Sequence, residues 1–253
     1  MKIGLDAGHG LKTSGKQTPN GIKEWTLNDK VRDKVVAYLK DYEVECVFTD
    51  NDEGNVDEKL AVRRATYINK NVDVFVSIHH NAFTGKWNNA TGVEVYVDKK
   101  YTSKDMNLAK AIYKNLPNYT GLKGRGIKKE NWLVINQNQI PAVLVEGGFM
   151  DSNKDYKVIT SDKGQEGYAK AVAEGLISFL DLKKKKVATS KYYPKCSANH
   201  TSIVSALKSV KVNSSFSNRR KIAKKNGIKL YLGTAAQNIK LLDLLKSGKL
   251  LKA

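Results

Sequence analysis

Residues 72–82 read VDVFVSIHHNA, and this stretch decides the fold of the larger part of the chain. The run from Val72 to Ile78 is almost wholly apolar, as expected for a strand that is buried on both faces of a parallel sheet. Two histidines and an asparagine follow immediately. Because ligands collect beyond the carboxyl ends of the strands in open α/β sheets, the stretch combines a central strand with a candidate site.

Strand and helix patterns alternate on both sides of this stretch as far as residue 182. Short apolar runs predict further strands at KIGLDA (2–7), VECVF (44–48), GVEVYV (92–97), WLVI (132–135) and PAVLVE (141–146). The alternating run GVEVYV is expected nearer an edge of the sheet. Helical spacing of apolar residues predicts helices at 25–40, 59–70, 107–116 and 167–182. The sequence therefore predicts a doubly wound, mostly parallel α/β sheet with helices on both faces.

The positive charge is concentrated in the last part of the chain. The whole chain has 44 Lys+Arg and 25 Asp+Glu, a net charge of +19. From Lys183 onward there are 18 basic residues and a single acid, Asp243, so this part carries +17 and residues 1–182 carry +2. Such a basic module binds polyanions. We predict an α/β domain over 1–182, a basic linker over 183–190 that begins KKKK, and a small, mainly helical domain over 191–253.

Composition also excludes several classes of protein. No apolar run reaches the roughly 18–20 residues of a membrane-spanning helix, so membrane insertion is not expected. The first residues carry Asp6 and are too short an apolar stretch for a signal peptide. The two cysteines, Cys46 and Cys196, form no CxxC motif and suggest no disulfide framework.

Ionisable residues follow three of the predicted strands. His9 lies in DAGHG (6–10) after the first strand, His79 and His80 follow the central strand, and Glu146 ends PAVLVE. Each has an ordinary structural interpretation: a loop histidine, a strand cap, or an ion-pair partner of Arg125. Three such placements at one sheet edge instead indicate a site.

Two imidazoles favour Zn²⁺, and a catalytic zinc site takes three protein ligands. Glu24, in NGIKEWTLN (20–28), is the candidate third ligand; a solvated acid at a helix start is an equally open interpretation of its position. Zinc lowers the pKa of a bound water to about 7. Glu146 would then accept the proton of the attacking water and return it to a leaving nitrogen. This combination predicts metal-assisted amide hydrolysis.

Four segments together resemble the zinc-dependent N-acetylmuramoyl-L-alanine amidases of family 3, which include bacterial autolysins and phage endolysins. They are DAGHG, the glutamate of GIKEWTLN, SIHHNA (77–82), and GRGIKKENWLVINQNQIPAVLVEGGFMDSNKD (124–155), in the order of the family. The resemblance covers nearly all of residues 1–182. It implies cleavage of the amide between muramic acid and L-alanine in peptidoglycan. It also implies that His9, Glu24 and His79 are zinc ligands and that Glu146 is the catalytic glutamate.

The same resemblance suggests lesser roles for three further residues. His80 stands at a position that varies in the family and is kept in reserve as a ligand. Asn81 and Arg125 are candidates for groups that support the site or face the substrate. The chain departs from many members at Gly148, where they carry leucine, which affects the wall beside the catalytic carboxylate and hence fine specificity.

The basic tail resembles a C-terminal wall-binding module of some Bacillus and related phage amidases. The matching runs are SIVSALKSVKVNSSF (202–216), GTAAQN (233–238) and LLDLLKSGKL (241–250). The resemblance implies binding to an anionic secondary polymer in the wall of Gram-positive bacteria. On charge alone DNA would be the favoured partner, and NRRKIAKKNG (218–227) is also compatible with a helix-turn-helix motif that binds DNA. Beside a zinc amidase, wall binding is the preferred hypothesis, with no specific nucleic acid as partner.

These observations lead to one functional hypothesis and three alternatives. The hypothesis is a phage or prophage endolysin that stays in the host cytoplasm until a holin opens the membrane, and then cuts peptidoglycan. The alternatives are a bacterial autolysin exported by another route, a zinc peptidase acting within the stem peptide, and a non-catalytic wall- or DNA-binding protein.

Overall fold

The computed structural model describes residues 1–136, 139–185 and 190–253. The chain divides into two compact units, Met1–Lys185 and Lys186–Ala253. Residues 186–189 of the predicted linker lie outside the described residues. Lys184 bridges to Tyr42, and the Lys185 amide donates to the Asp41 carbonyl at 2.8 Å, so the described start of that linker packs on the first unit.

A six-stranded sheet forms the centre of the first unit. Its strands are β1 (Lys2–Ala7), β2 (Glu45–Phe48), β3 (Val74–Asn81), β4 (Val93–Asp98), β5 (Gly124–Glu130) and β6 (Ala142–Phe149). Their order is β2-β1-β3-β6-β4-β5, and the β4–β6 pairing is antiparallel while the other pairings are parallel. The predicted mostly parallel α/β sheet is confirmed, and β4 lies one strand in from the edge strand β5.

Helices cover both faces of this sheet. They are α1 (Glu24–Leu39), α2 (Leu60–Asn69), α3 (Ser103–Tyr113), α4 (Leu116–Thr120), α5 (Asp155–Ile159) and α6 (Asp162–Leu180). Alternate residues of β3 point to opposite faces: Val76 packs in the core under α1, α3 and α6, whereas Phe75 packs with Tyr67 of α2. The apolar positions predicted from helical spacing in α1, such as Val31 and Val35, are fully buried.

Two strand predictions differ from the structure. WLVI is not a strand: the Ile135 amide donates to the Trp132 carbonyl in a turn, and Val134 packs on Tyr67, whose hydroxyl donates to its carbonyl. The strand β5 lies just before it. Val134 and Ile135 are buried from a turn while Leu133 is exposed, and a short apolar run does not distinguish this arrangement from a strand. Strands β3 and β6 also extend further than expected, so that His79 lies within a strand rather than after it, and Glu146 lies inside β6 rather than at its end.

The second unit is small and helical. It contains α7 (Ile203–Ser209), α8 (Phe216–Lys225) and α9 (Ala235–Lys246), as the sequence predicts. The side chains of Ser202, Ser215 and Thr234 cap the three helices by accepting from backbone amides. Its own apolar core includes Leu207, Ile222 and Leu245. Across both units, none of the described helices combines the length and apolar character needed to cross a membrane.

Candidate metal centre

His9, Glu24 and His79 converge at the carboxyl end of the central strands. His9 Nε2 lies 3.4 Å from Glu24 Oε2, and His79 Nδ1 lies 3.0 Å from Glu24 Oε1. One potential ligand atom from each of the three residues lies within 4.8 Å of the others. Two donors of a tetrahedral zinc, each about 2.0–2.1 Å from the ion, are about 3.3–3.4 Å apart. The three side chains therefore fit a divalent cation.

His9 is held in an unusual backbone conformation by a buried arginine. Its φ is +67°, in the left-handed region that costs a non-glycine residue about 1–2 kcal/mol. Arg63 Nη2 donates to the His9 carbonyl at 2.6 Å, and Arg63 Nη1 donates to the Ala7 carbonyl and to Asp6 Oδ1 at 2.9 and 2.6 Å. Arg63 and Asp6 are each 1% exposed. This buried pair fixes the turn that carries His9.

Gly8 makes room for the second histidine. A Cβ atom at this position would lie 2.1 Å from Cε1 of His79 and 2.2 Å from its Nε2. Since real Cβ atoms do not approach so closely, any side chain here would displace the His79 ring. The first glycine of DAGHG is thus required by the packing of the His79 ring against the loop that carries His9.

Glu24 is the first residue of α1 and is only 2% exposed, so it is not the solvated acid of the alternative interpretation. The His80 amide donates to Glu24 Oε1 at 3.2 Å, and Asn28 Nδ2 lies 3.4 Å from the same oxygen. The buried His80 ring is not part of the cluster of His9, Glu24 and His79 and bonds Asn28 Oδ1 through Nδ1 at 2.7 Å. His80 and Asn28 therefore orient the carboxylate, and sequence reasoning had not identified Asn28.

The charge states of the cluster suit metal binding. Burial lowers the pKa of His9 to about 4, against the opposing charge of Glu24, so its imidazole is neutral at pH 7. Burial opposes ionisation of Glu24, but the hydrogen bond and charge of His79 outweigh it and lower that pKa to about 2. A neutral imidazole and an ionised carboxylate are the forms that bind a metal.

Glu146 lines the same pocket. It pairs with His79 in the β3–β6 ladder and is 8% exposed, and its Oε2 has no hydrogen-bond partner among the described residues. Burial and the charges of Glu24 and Glu94 raise the pKa of this carboxyl well above its usual value. An unpaired buried carboxyl oxygen beside a metal cluster is a candidate proton carrier. The pocket is lined by His9, Lys16, Glu24, His79, His80, Asn81, Ala82, Tyr96, Trp132 and Glu146.

The other two candidates, Asn81 and Arg125, meet at a residue that sequence reasoning missed. Asn81 Nδ2 donates to Glu94 Oε1 at 2.7 Å, and Arg125 Nε donates to Glu94 Oε2 at 2.7 Å. Arg125 therefore pairs with Glu94 and not, as one interpretation had it, with Glu146. In the sequence, Glu94 is marked only as a polar residue in the alternating run GVEVYV. Such alternation usually places the polar residue in solvent, whereas Glu94 is buried.

Gly148, where the chain departs from the family pattern, lies at an irregularity in the β3–β6 ladder. The register shifts between His79 and Asn81, and Gly148 has φ +129°. A Cβ atom there would lie 2.9 Å from side-chain atoms of Leu122 and Ile159. In this chain the position is matched to glycine by both its backbone and its neighbours.

Comparison with known proteins agrees with this geometry. A family model described as N-acetylmuramoyl-L-alanine amidase matches residues 3–178. The endolysin of Bacillus phage SPP1 is 35% identical over 190 residues, covering 72% of this chain and 67% of the relative. The sporulation-specific N-acetylmuramoyl-L-alanine amidase of Bacillus subtilis is 28% identical, covering 73% and 70%. The catalytic domain of the amidase CwlV from Bacillus (Paenibacillus) polymyxa var. colistinus superposes with a TM-score of 0.66 at 31% identity, covering 72% of this chain and 99% of that one.

Proposed function

Because the chain belongs to the N-acetylmuramoyl-L-alanine amidase family, we propose that it uses zinc to hydrolyse the amide between N-acetylmuramic acid and L-alanine in peptidoglycan. One observation carries the proposal. The cluster of His9, Glu24 and His79 shares a pocket with the unpaired carboxyl of Glu146. A metal-binding set and a proton carrier side by side are what amide hydrolysis by water requires.

In this proposal His9, Glu24 and His79 hold the ion. Bound zinc supplies Lewis acidity, which lowers the pKa of water and polarises a carbonyl. The chain's own residues set the ligands in place: Arg63 fixes the backbone of His9, and the His80 amide fixes the carboxylate of Glu24. This support from outside the ligand set keeps the three donors aligned.

Glu146 moves the proton. As the water oxygen bonds to the lactyl carbonyl carbon, its proton passes to the Glu146 carboxylate. As the carbon–nitrogen bond breaks, the same carboxyl gives the proton to the nitrogen of L-alanine. The second proton of the water then passes from the new lactyl carboxyl to the amine, and a lactyl carboxylate and the ammonium of L-alanine result. Oε2 of Glu146 is suited to this task because it has no hydrogen-bond partner among the described residues.

We further propose that the second unit holds the enzyme on the wall. Residues 186–253 contain 15 Lys+Arg and one acid, a net charge of +14, so the unit binds an anionic secondary polymer of Gram-positive walls. The relation to a phage endolysin supports a lysis role, with the protein in the host cytoplasm until a holin releases it. Removing the chain after Lys185 should weaken binding to intact walls, whereas undiminished binding would show that this unit is not the anchor.

Mass spectrometry of fragments released from purified peptidoglycan tests the reaction. An amidase releases peptides that begin with a free L-alanine and leaves glycan strands unshortened. Peptides cut after L-alanine or later would identify a stem-peptide peptidase instead. No released fragment from the zinc-loaded protein would identify a non-catalytic binding protein.

A further inference from the structure

Glu94 lies beside the proposed proton carrier and gathers four hydrogen-bond donors. Glu94 and Glu146 are directly opposed partners in the antiparallel β4–β6 pairing. Besides Asn81 and Arg125, the Tyr96 hydroxyl donates to Glu94 Oε1 at 2.8 Å and Lys128 Nζ pairs with Oε2. A buried carboxylate with this many donors is a rigid attachment point.

Glu94, Arg125 and Lys128 together carry one positive charge in excess. Glu94 is 1% exposed, whereas the side chains of Arg125 and Lys128 are 35% and 36% exposed. The single negative charge is therefore buried, and the two positive charges lie on the solvent side of it. Such an arrangement favours the binding of one further anion from solvent.

Arg125 is already oriented for that anion. Its Nε is used by Glu94, and its guanidinium carbon lies 5.0 Å from the centre of the Phe149 ring. Its two terminal nitrogens make no hydrogen bond to any residue that the structure describes. A guanidinium fixed through Nε and stacked on a ring presents its remaining donors in the fork that binds carboxylates in two-point fashion.

We propose that Arg125, positioned by Glu94, binds a carboxylate in the peptide part of the substrate. This inference rests on the proposed function. In a muramoyl peptide the lactyl carboxyl forms the scissile amide, and the N-acetylated sugars are neutral. The free carboxylates therefore lie in the peptide. Asn81 links the cluster to the pocket, because it lines the pocket and bonds Glu94. The carboxylate would thus fix the peptide on the leaving-group side.

The test uses the full chain carrying Glu146→Gln, so that binding is measured without turnover. Two soluble muramoyl peptides are compared by calorimetry, identical except that the residue after L-alanine carries either a carboxylate or a carboxamide. We expect the carboxylate form to bind about tenfold more tightly, as for a charge-assisted hydrogen bond at a partly exposed site. Adding Arg125→Met should abolish this preference, and Arg125→Lys should leave an intermediate one.

Lys99→Met is the matched control. Lys99 lies just after β4 and pairs with Glu130 at the end of β5, so its loss should not change the preference. No preference in the Glu146→Gln parent, or an equal loss of both ligands on Arg125→Met, would overturn the inference. A protein that binds with this preference but shows no amidase products would instead contradict the proposed function alone.

Discussion

The guanidinium of Arg63 donates to the carbonyl oxygen of His9 at 2.6 Å, which ties a buried ion pair to the backbone of a proposed metal ligand. Arg63 forms this ion pair with Asp6 and also donates to the Ala7 carbonyl. Helix α2, which carries Arg63, thereby supports the three proposed metal ligands, although none of these ligands lies on this helix. The fold and the site are coupled through this one side chain.

Arg63→Met should weaken zinc binding about 10–100-fold, the usual effect of losing a group that orients a ligand. It should also destabilise the fold by about 3–5 kcal/mol, because Asp6 is left as a buried unpaired charge. Competition with a chelator and urea unfolding measure the two effects. Arg64→Met, at the next position of α2, is the control; an equal change in zinc affinity there would contradict the link to His9.

Gly8→Ala should lower zinc affinity by displacing the His79 ring, since the new Cβ would lie 2.1 Å from Cε1. Gly15→Ala is the control for a glycine substitution without a steric clash, because a Cβ added there would meet no atom within 4 Å. Chelator competition compares the two variants. Normal zinc affinity in folded Gly8→Ala protein would show that His79 does not need this position.

Glu146→Gln should retain zinc and lose about 10²–10⁴-fold in the rate of wall hydrolysis, because the amide cannot carry the proton. Zinc content and the release of soluble muropeptides are measured on the same preparation. Glu45→Gln, an exposed glutamate on β2, should behave as the unchanged protein. Retained turnover would assign the proton transfer to another group, and lost zinc would assign Glu146 to the ligand set.

Asp6 should make stability fall at acid pH. Burial opposes its ionisation, but the charge of Arg63 and a hydrogen bond from Ser77 outweigh it and lower the pKa below 3.8. The stabilisation is therefore fully present above about pH 4 and is lost as pH falls through the folded-state pKa. Urea unfolding of metal-free protein should show a shallower acid dependence for Asp6→Asn. An identical pH profile would contradict the role of the pair.

Five of the six strands were predictable because they are short apolar runs separated by helical patterns, whereas β5 (GRGIKKE) is mostly polar and was not predicted. Strand β3 is the clearest case, since Val74–Ile78 are all buried and all but Ser77 are apolar. The failure at WLVI has the same origin: Trp132, Val134 and Ile135 are as apolar as a strand but fill the space beside Tyr67 from a turn. Local pattern reports burial better than it reports hydrogen-bond partners.

The gathering of His9, Glu24 and His79 was predictable in outline, because strand ends share one edge of the sheet. The residues that hold these three side chains in place were not predictable. Arg63 and Asn28 sit on helices, where sequence spacing gives no sign that an arginine or asparagine is buried against a loop carbonyl or a neighbouring histidine. Glu94 is buried only because donors from two other strands meet it. Such partners become visible when the strand order is known.

The most direct measurement is a crystal structure of the zinc-loaded protein with anomalous diffraction recorded at the zinc absorption edge. The account predicts one anomalous peak at coordination distance from His9, Glu24 and His79, with the Glu146 carboxyl in the same pocket and outside the ligand set. A peak elsewhere, or a zinc bound without one of these three side chains, would contradict it.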